Sequence, residues 1–182
     1  ILTRLVGSEM CIRDSNEADL AVHSLKDLPI EDQKDTLIVS MLERADSRDI
    51  LFLKKDIFEN YNNKELRILT SSPRRVYNFS NFLESLIPFN PSNITFEDVR
   101  GNIPTRLEKL LNGDCQGLIV AKAAIDRLIS YGNKDISAKI QSYLDDLLWM
   151  IIPLSLNPCA PGQGAIAIEA VSYTHLRAHE TR

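Results

Sequence analysis

The sequence predicts an α/β fold with a parallel sheet, and three observations carry that expectation. Short strand-like stretches recur at 67–70, 94–99 and 117–121. Segments of helical period, 72–86, 102–111 and 123–129, alternate with them. Capping and turn residues punctuate each switch, which is the pattern of strands joined by helical crossovers.

The elements follow in order. Leu20, Ala21 and Val22 form an apolar run within 18–23 that reads as a buried strand, delivering its C-terminal end into the loop Lys26-Asp27-Leu28-Pro29. A second strand is expected over 37–42, then a polar stretch, 43–48, that is a candidate hinge, and a third strand over 50–53. On the 72–86 helix, Val76, Phe79, Leu83 and Leu86 recur at spacings of three and four, which places one apolar stripe along it. A further helix is expected over 140–148, a strand over 150–154, and a last strand after the turn Pro161-Gly162-Gln163-Gly164.

The 182 residues, 44% hydrophobic and 25% charged, suffice for one sizeable core or two small ones. A net charge of -4 and a pI near 5.4 create no field that draws nucleic acid or an anionic membrane, so any anion site must be built locally. No apolar run reaches the roughly 18 residues that span a bilayer, and the first residues lack the zones of a signal peptide. A cytoplasmic or plastid-stromal setting is therefore expected. Cys11, Cys115 and Cys159 are too few and scattered for a disulfide framework or metal cluster and read as reduced, incidental thiols. Residues 1–15 and 171–182 connect to neither period and resemble translated adapter sequence, so both are expected to be non-native. His175 and His179, at metal-pair spacing, fall in that tail without a third ligand, and no metal site is expected.

The arginines are the informative cations. Ser72-Pro73-Arg74-Arg75 sets a capping hydroxyl and an N1 proline ahead of two cations in a first helical turn. Asn102-Ile103-Pro104-Thr105-Arg106 repeats the scheme, with Arg100 just upstream. A cation in a first turn opposes the helix dipole at a cost of about 0.3–1 kcal/mol, so an anion should offset it. An oxyanion at such a terminus meets free N–H groups, cap hydroxyls and bidentate guanidinium together. Two such termini at neighbouring strand ends point to a polyanion or polycarboxylate site; solvated arginines paired with surface carboxylates are the plainer alternative.

Asp27 beside Lys26 is the catalytic candidate, because a carboxylate among cations stays ionised and can stabilise a developing positive charge. A solvated turn is the competing reading of the pair. His23 could serve as a base, although a histidine closing an apolar strand is more often hydrogen-bonded structure.

Four motifs then stand in order: Ala21-Val22-His23-Ser24-Leu25-Lys26-Asp27-Leu28-Pro29, Thr70-Ser71-Ser72-Pro73-Arg74-Arg75, Val99-Arg100-Gly101-Asn102-Ile103-Pro104-Thr105-Arg106-Leu107, and Ala160-Pro161-Gly162-Gln163-Gly164-Ala165. In sequence and spacing they resemble the porphobilinogen deaminases over residues 16–170. The resemblance implies a two-lobed fold like that of periplasmic binding proteins, with one lobe nearly complete and the other partial. Residues 16–44 would be part of a first domain with the catalytic loop, 45–155 a second, and 156–170 the strand crossing back. Glu43-Arg44 would make the first crossing, and domain closure would hinge on the two.

The activity implied is a transferase, hydroxymethylbilane synthase of porphyrin and heme biosynthesis, which condenses four porphobilinogen molecules head to tail with release of ammonia. Asp27 matches the catalytic aspartate and Lys26 its neighbour. Ser24, Thr70, Ser71, Ser72, Arg74, Arg75, Arg100, Gly101, Arg106, Arg127 and Gln163 match positions that hold substrate and cofactor. That cofactor is a dipyrromethane carried covalently by a cysteine of a third domain. None of the three cysteines matches it, so the third domain is expected to be absent and the chain inactive as it stands. Porphobilinogen and the growing pyrrole chain are the partners implied, with no nucleic acid or membrane and a monomeric state. Leu69 stands where the family has glycine. The alternative is a non-catalytic carboxylate-binding module of periplasmic-binding-protein type, which does not require the Lys26-Asp27 pair.

Overall fold

The apolar run Ile50–Leu53 lies in β3 (Asp49–Lys54), a strand hydrogen-bonded on both sides. A computed structural model describes residues 20–29, 36–57, 64–130 and 133–171, and the chain divides into two units, 1–45 with 161–182 and 46–160.

The second unit holds a five-stranded sheet in the order β5-β4-β6-β3-β7, made of β4 (Glu65–Leu69), β5 (Asn93–Glu97), β6 (Gly117–Ala121) and β7 (Leu147–Ile152) beside β3. Helices α1 (Pro73–Leu86), α2 (Ile103–Asn112), α3 (Lys122–Ser130) and α4 (Lys134–Asp145) accompany it. The two-residue period of β3 sorts its side chains between two cores. Ile50 and Phe52 join Leu107, Leu110, Ile125 and Ile140 from α2, α3 and α4. Leu51 and Leu53 join Phe79 and Leu83 of α1 on the opposite face. The expected stripe on α1 therefore faces the sheet, with Phe79 and Leu83 fully buried. Leu69, at the end of β4, packs into the first core.

The α/β class is as expected, but the sheet is mixed. β4 runs parallel to β5 and to β6, whereas β3 is antiparallel to both β6 and β7. β3 is not entered through a helical crossover from either partner, so the crossover rule that makes the others parallel does not govern it. The helix expected over 140–148 begins earlier, because the Asn133 side chain caps it by accepting from the amides of Asp135 and Ile136. It gives way to β7 at Leu147, three residues before the expected strand.

The first unit holds a three-stranded sheet in the order β1-β8-β2, formed by β1 (Leu20–Ser24), β2 (Thr36–Met41) and β8 (Ile166–Val171). β8 is antiparallel to both neighbours. The expectation of a buried β1 fails: it is an edge strand, with Leu20 and Val22 exposed at 52% and 63%. Val171, assigned from sequence to a non-native tail, is the last residue of β8 and pairs with Thr36. Cys11, His175, His179 and the rest of both suspect ends lie outside the described residues. Among the described residues no helix is long and apolar enough to cross a membrane.

Candidate functional site

In the first unit, β1 ends at Ser24 and the chain turns through a single 3-10 turn, Leu25–Asp27. Lys26 and Asp27 are both exposed on it, and Ser24, its N-cap, makes no side-chain capping bond. The turn is held from outside: the Leu25 amide donates to the Ala165 carbonyl at 3.1 Å. Gly162 and Gly164 adopt φ of 69° and 90°, conformations that favour glycine, and they bring the 161–164 turn against two neighbours. Gly162 lies against Leu25 and Lys26, and Gly164 against Ala45. Gln163 is buried, and its carbonyl accepts from Arg44 Nε at 3.0 Å.

His23 is hydrogen-bonded structure. Its Nε2 lies 2.8 Å from Oε2 of Glu169, a buried carboxylate on the middle strand, and Thr36 Oγ1 of β2 donates to the other oxygen of the same group. One carboxylate thus ties both edge strands to β8.

In the second unit, both predicted helix starts have the expected caps. Ser72 Oγ accepts from the Arg75 amide, and Asn102 Oδ1 accepts from the Thr105 amide at 3.0 Å. The cations behind the first cap, however, find their anion within the chain. Asp49, the fully buried first residue of β3, accepts from Arg74 Nη2 at 2.9 Å and from Arg75 Nη2 and Nε at 2.7 and 3.0 Å. Asn157 Nδ2 adds a fourth donor at 2.8 Å, and Arg74 also reaches the Pro158 carbonyl. Burial raises the Asp49 carboxyl, but the hydrogen bonds and charge of Arg75, with those of Arg74 and Asn157, prevail and hold it at about 2.

The second helix start is different. Arg100 pairs with Asp98 at 3.0 Å on the surface, and Arg106 Nε donates to the Gly101 carbonyl at 2.7 Å rather than to a carboxylate. Burial, then the charges of Arg75 and Arg100, push the Arg106 guanidinium below its ordinary value. Arg106 therefore feels like charge from both Arg75 and Arg100, the condition under which an added carboxylate is stabilised. Gly101, at φ 118°, packs against Thr105.

Thr70 is buried and its amide donates to the Glu97 carbonyl. Ser71 Oγ donates to the Val99 carbonyl at 2.8 Å, so its proton is engaged by the backbone. Arg127 sits in the last turn of α3.

A family profile described as "Porphobilinogen deaminase, dipyromethane cofactor binding domain" matches residues 11–177. The chain belongs to the porphobilinogen deaminase family. The porphobilinogen deaminase of Caldicellulosiruptor saccharolyticus is 38% identical over 157 residues, covering 86% of this chain and 47% of that protein. The one from Thermus thermophilus is 37% identical over 162 residues, covering 85% and 44%. The chain thus spans less than half the length of these curated relatives. Among solved structures, an arginine-transport periplasmic binding protein from Legionella pneumophila overlays with a TM-score of 0.35 at 16% identity, covering 90% of this chain and 63% of that one, too loose a likeness to bear on function.

Three buried residues that organise these sites, Asp49, Asn157 and Glu169, were not singled out from sequence. Each stands far along the chain from its partners, at separations of 25 to 146 residues, and only the fold brings them together.

Proposed function

We propose that this chain supplies the Lys26-Asp27 turn and an arginine-rich carboxylate site to a hydroxymethylbilane synthase, which joins four porphobilinogen molecules head to tail and releases ammonia at each step. The family match over residues 11–177 carries this reading. The enzyme works in the tetrapyrrole pathway to porphyrin and heme, as a monomer in the cytoplasm or plastid stroma. Porphobilinogen and the growing pyrrole chain are its partners, with neither nucleic acid nor membrane among them.

The donor set of the second unit suits a polycarboxylate such as a dipyrromethane. Arg106 is a half-buried guanidinium crowded by Arg75 and Arg100, so a bound carboxylate would relieve like-charge repulsion while accepting charge-assisted hydrogen bonds. When bound, the dipyrromethane supplies the pyrrole carbon to which the first substrate is joined. Arg100 and Arg106 would grip its acid side chains, with Gly101 allowing the backbone between them to approach. Arg74 and Arg75 would act while braced by Asp49, which fixes their guanidinium planes. Thr70, Ser71 and Ser72 would shape the start of α1, and Arg127 would contribute charge from α3.

Asp27 would stabilise the positive charge left on a pyrrole as ammonia departs, through carboxylate oxygens that are exposed on the turn. Lys26 would meet the substrate's acid groups, and Ser24 and Gln163 would flank the turn. The test joins this chain to the segments its relatives carry beyond it and measures hydroxymethylbilane formed from porphobilinogen. Asp27→Asn should lower turnover at least roughly 100-fold; normal turnover in that variant would overturn the assignment.

A further inference from the structure

We infer that Gly162 is a positioning residue for the Lys26-Asp27 turn. The proposal rests on the reading of Asp27 as the reacting carboxylate, and the contacts behind it are all within the first unit. The turn has little of its own to fix it. It is one 3-10 turn, its N-cap Ser24 makes no side-chain capping bond, and its internal bond, Leu28 amide to Leu25 carbonyl, is 3.3 Å long.

What defines the turn lies in the 161–165 segment. The Ala165 carbonyl receives the Leu25 amide, and the Ala165 amide is bonded back to the Gly162 carbonyl at 3.1 Å. At Gly162 itself a Cβ would stand 3.0 Å from the Lys26 nitrogen, 3.0 Å from Leu25 Cγ and 3.2 Å from the Leu25 carbonyl carbon. Two of these three atoms are backbone, so they cannot swing aside as a flexible side-chain tip would. A side chain at 162 therefore asks the backbone at Leu25 and Lys26, which leads into Asp27, to give by a few tenths of an ångström. The bare α-carbon is the surface on which that turn rests, and Gly162 acts on the chemistry through Asp27 rather than by touching substrate.

Two requirements at Gly162 can be separated. A φ of 69° disfavours alanine but is tolerated by asparagine, which visits the left-handed region readily. Both residues carry a Cβ. Gly162→Asn should therefore recover most of the melting temperature lost in Gly162→Ala, while both variants displace the turn.

In the 182-residue chain, hydrogen exchange at the Leu25 and Leu28 amides should accelerate about tenfold or more in both variants. In the protein joined to the family's remaining segments, kcat should fall by about 3- to 10-fold in both, since the turn must give by a few tenths of an ångström and a misplacement of about 1 Å would cost roughly 100-fold, with KM within about twofold of the parent. Recovery of kcat and of Leu25 and Leu28 protection in Gly162→Asn, together with stability, would overturn the inference and leave Gly162 as a requirement of backbone conformation alone. Asp27→Asn, measured alongside, separates the two readings. If it leaves turnover intact, the assignment of Asp27 fails, and exchange at Leu25 and Leu28 alone decides whether Gly162 positions the turn.

Discussion

Arg75 clasps Asp49 with two hydrogen bonds inside the second unit, Nη2 to Oδ1 at 2.7 Å and Nε to Oδ2 at 3.0 Å, with the Asp49 side chain fully shielded from water. Desolvation and pairing are both large in such a place, and the pairing with Arg75 prevails with the support of Arg74 and Asn157, which both donate to Oδ2. The two first-turn cations of α1, which oppose its dipole, thus share one carboxylate from β3, which offsets half of their charge. Arg106, behind the corresponding cap of α2, has no such carboxylate clasp among its bonds described above.

Replacing the carboxylate should therefore be costly. Asp49→Asn leaves the Arg75 guanidinium buried without a countercharge, and the second unit should lose about 3–5 kcal/mol in urea denaturation. The pH dependence follows from the same pair. The Asp49 carboxyl is held at about 2 against an ordinary 3.8, so its stabilisation is fully present above pH 3.8 and is lost as pH falls through 3.8 towards 2. Over that window the parent should lose about 2 kcal/mol that Asp49→Asn does not. Asp46, held at about 2 by its hydrogen bond from Arg48, titrates in the same window in both proteins and cancels in the difference. Parallel curves for the two proteins between pH 2 and 4 would contradict the assignment.

The cap on α2 should be measurable separately. Asn102 Oδ1 accepts from both the amide and the hydroxyl of Thr105, at 3.0 and 2.8 Å, so Asn102→Ala should cost about 1 kcal/mol in thermal or chemical unfolding. Asn102→Asp keeps the acceptor and adds a charge that the helix dipole favours, and it should recover that loss.

Glu169 gives a test confined to the first unit. Its two carboxylate oxygens serve His23 on β1 and Thr36 on β2, and Glu169→Gln replaces one acceptor by a donor. Amide exchange along β1 and β2 should quicken by the equivalent of about 1–3 kcal/mol. Amides of β3 and β6 should keep their rates; equal acceleration in both sheets would show that the substitution acts globally.

The features that could be read from sequence are those fixed by near neighbours. Ser72 and Asn102 announce helix starts because a cap acts within three residues, and Phe79 and Leu83 mark a buried face because one helix repeats it. Asn133 carries the same kind of signal, and its cap starts α4 ahead of the 140–148 span that the apolar pattern suggests. The antiparallel insertion of β3 leaves no trace in its apolar pattern, since a strand covered on both faces looks alike in either direction. At the candidate site, the motifs located the arginines and the Lys26-Asp27 turn. They could not show that Arg74 and Arg75 already share a carboxylate, because Asp49 stands 25 and 26 residues away and only the packing of α1 against β3 joins them.

The Asn157–Asp49 bond also has a bearing on how the protein could be taken apart. It joins residues 108 positions apart, one just after the chain enters the second unit at 46 and the other just before it leaves at 160. The two ends of that unit are therefore pinned side by side, as in a cassette whose entry and exit share one port. Residues 46–160 can be excised, rejoined through a short linker into a circular permutant, or grafted into a surface loop of another host with little stretching of the backbone. Asp49 would travel with the cassette as its clasp.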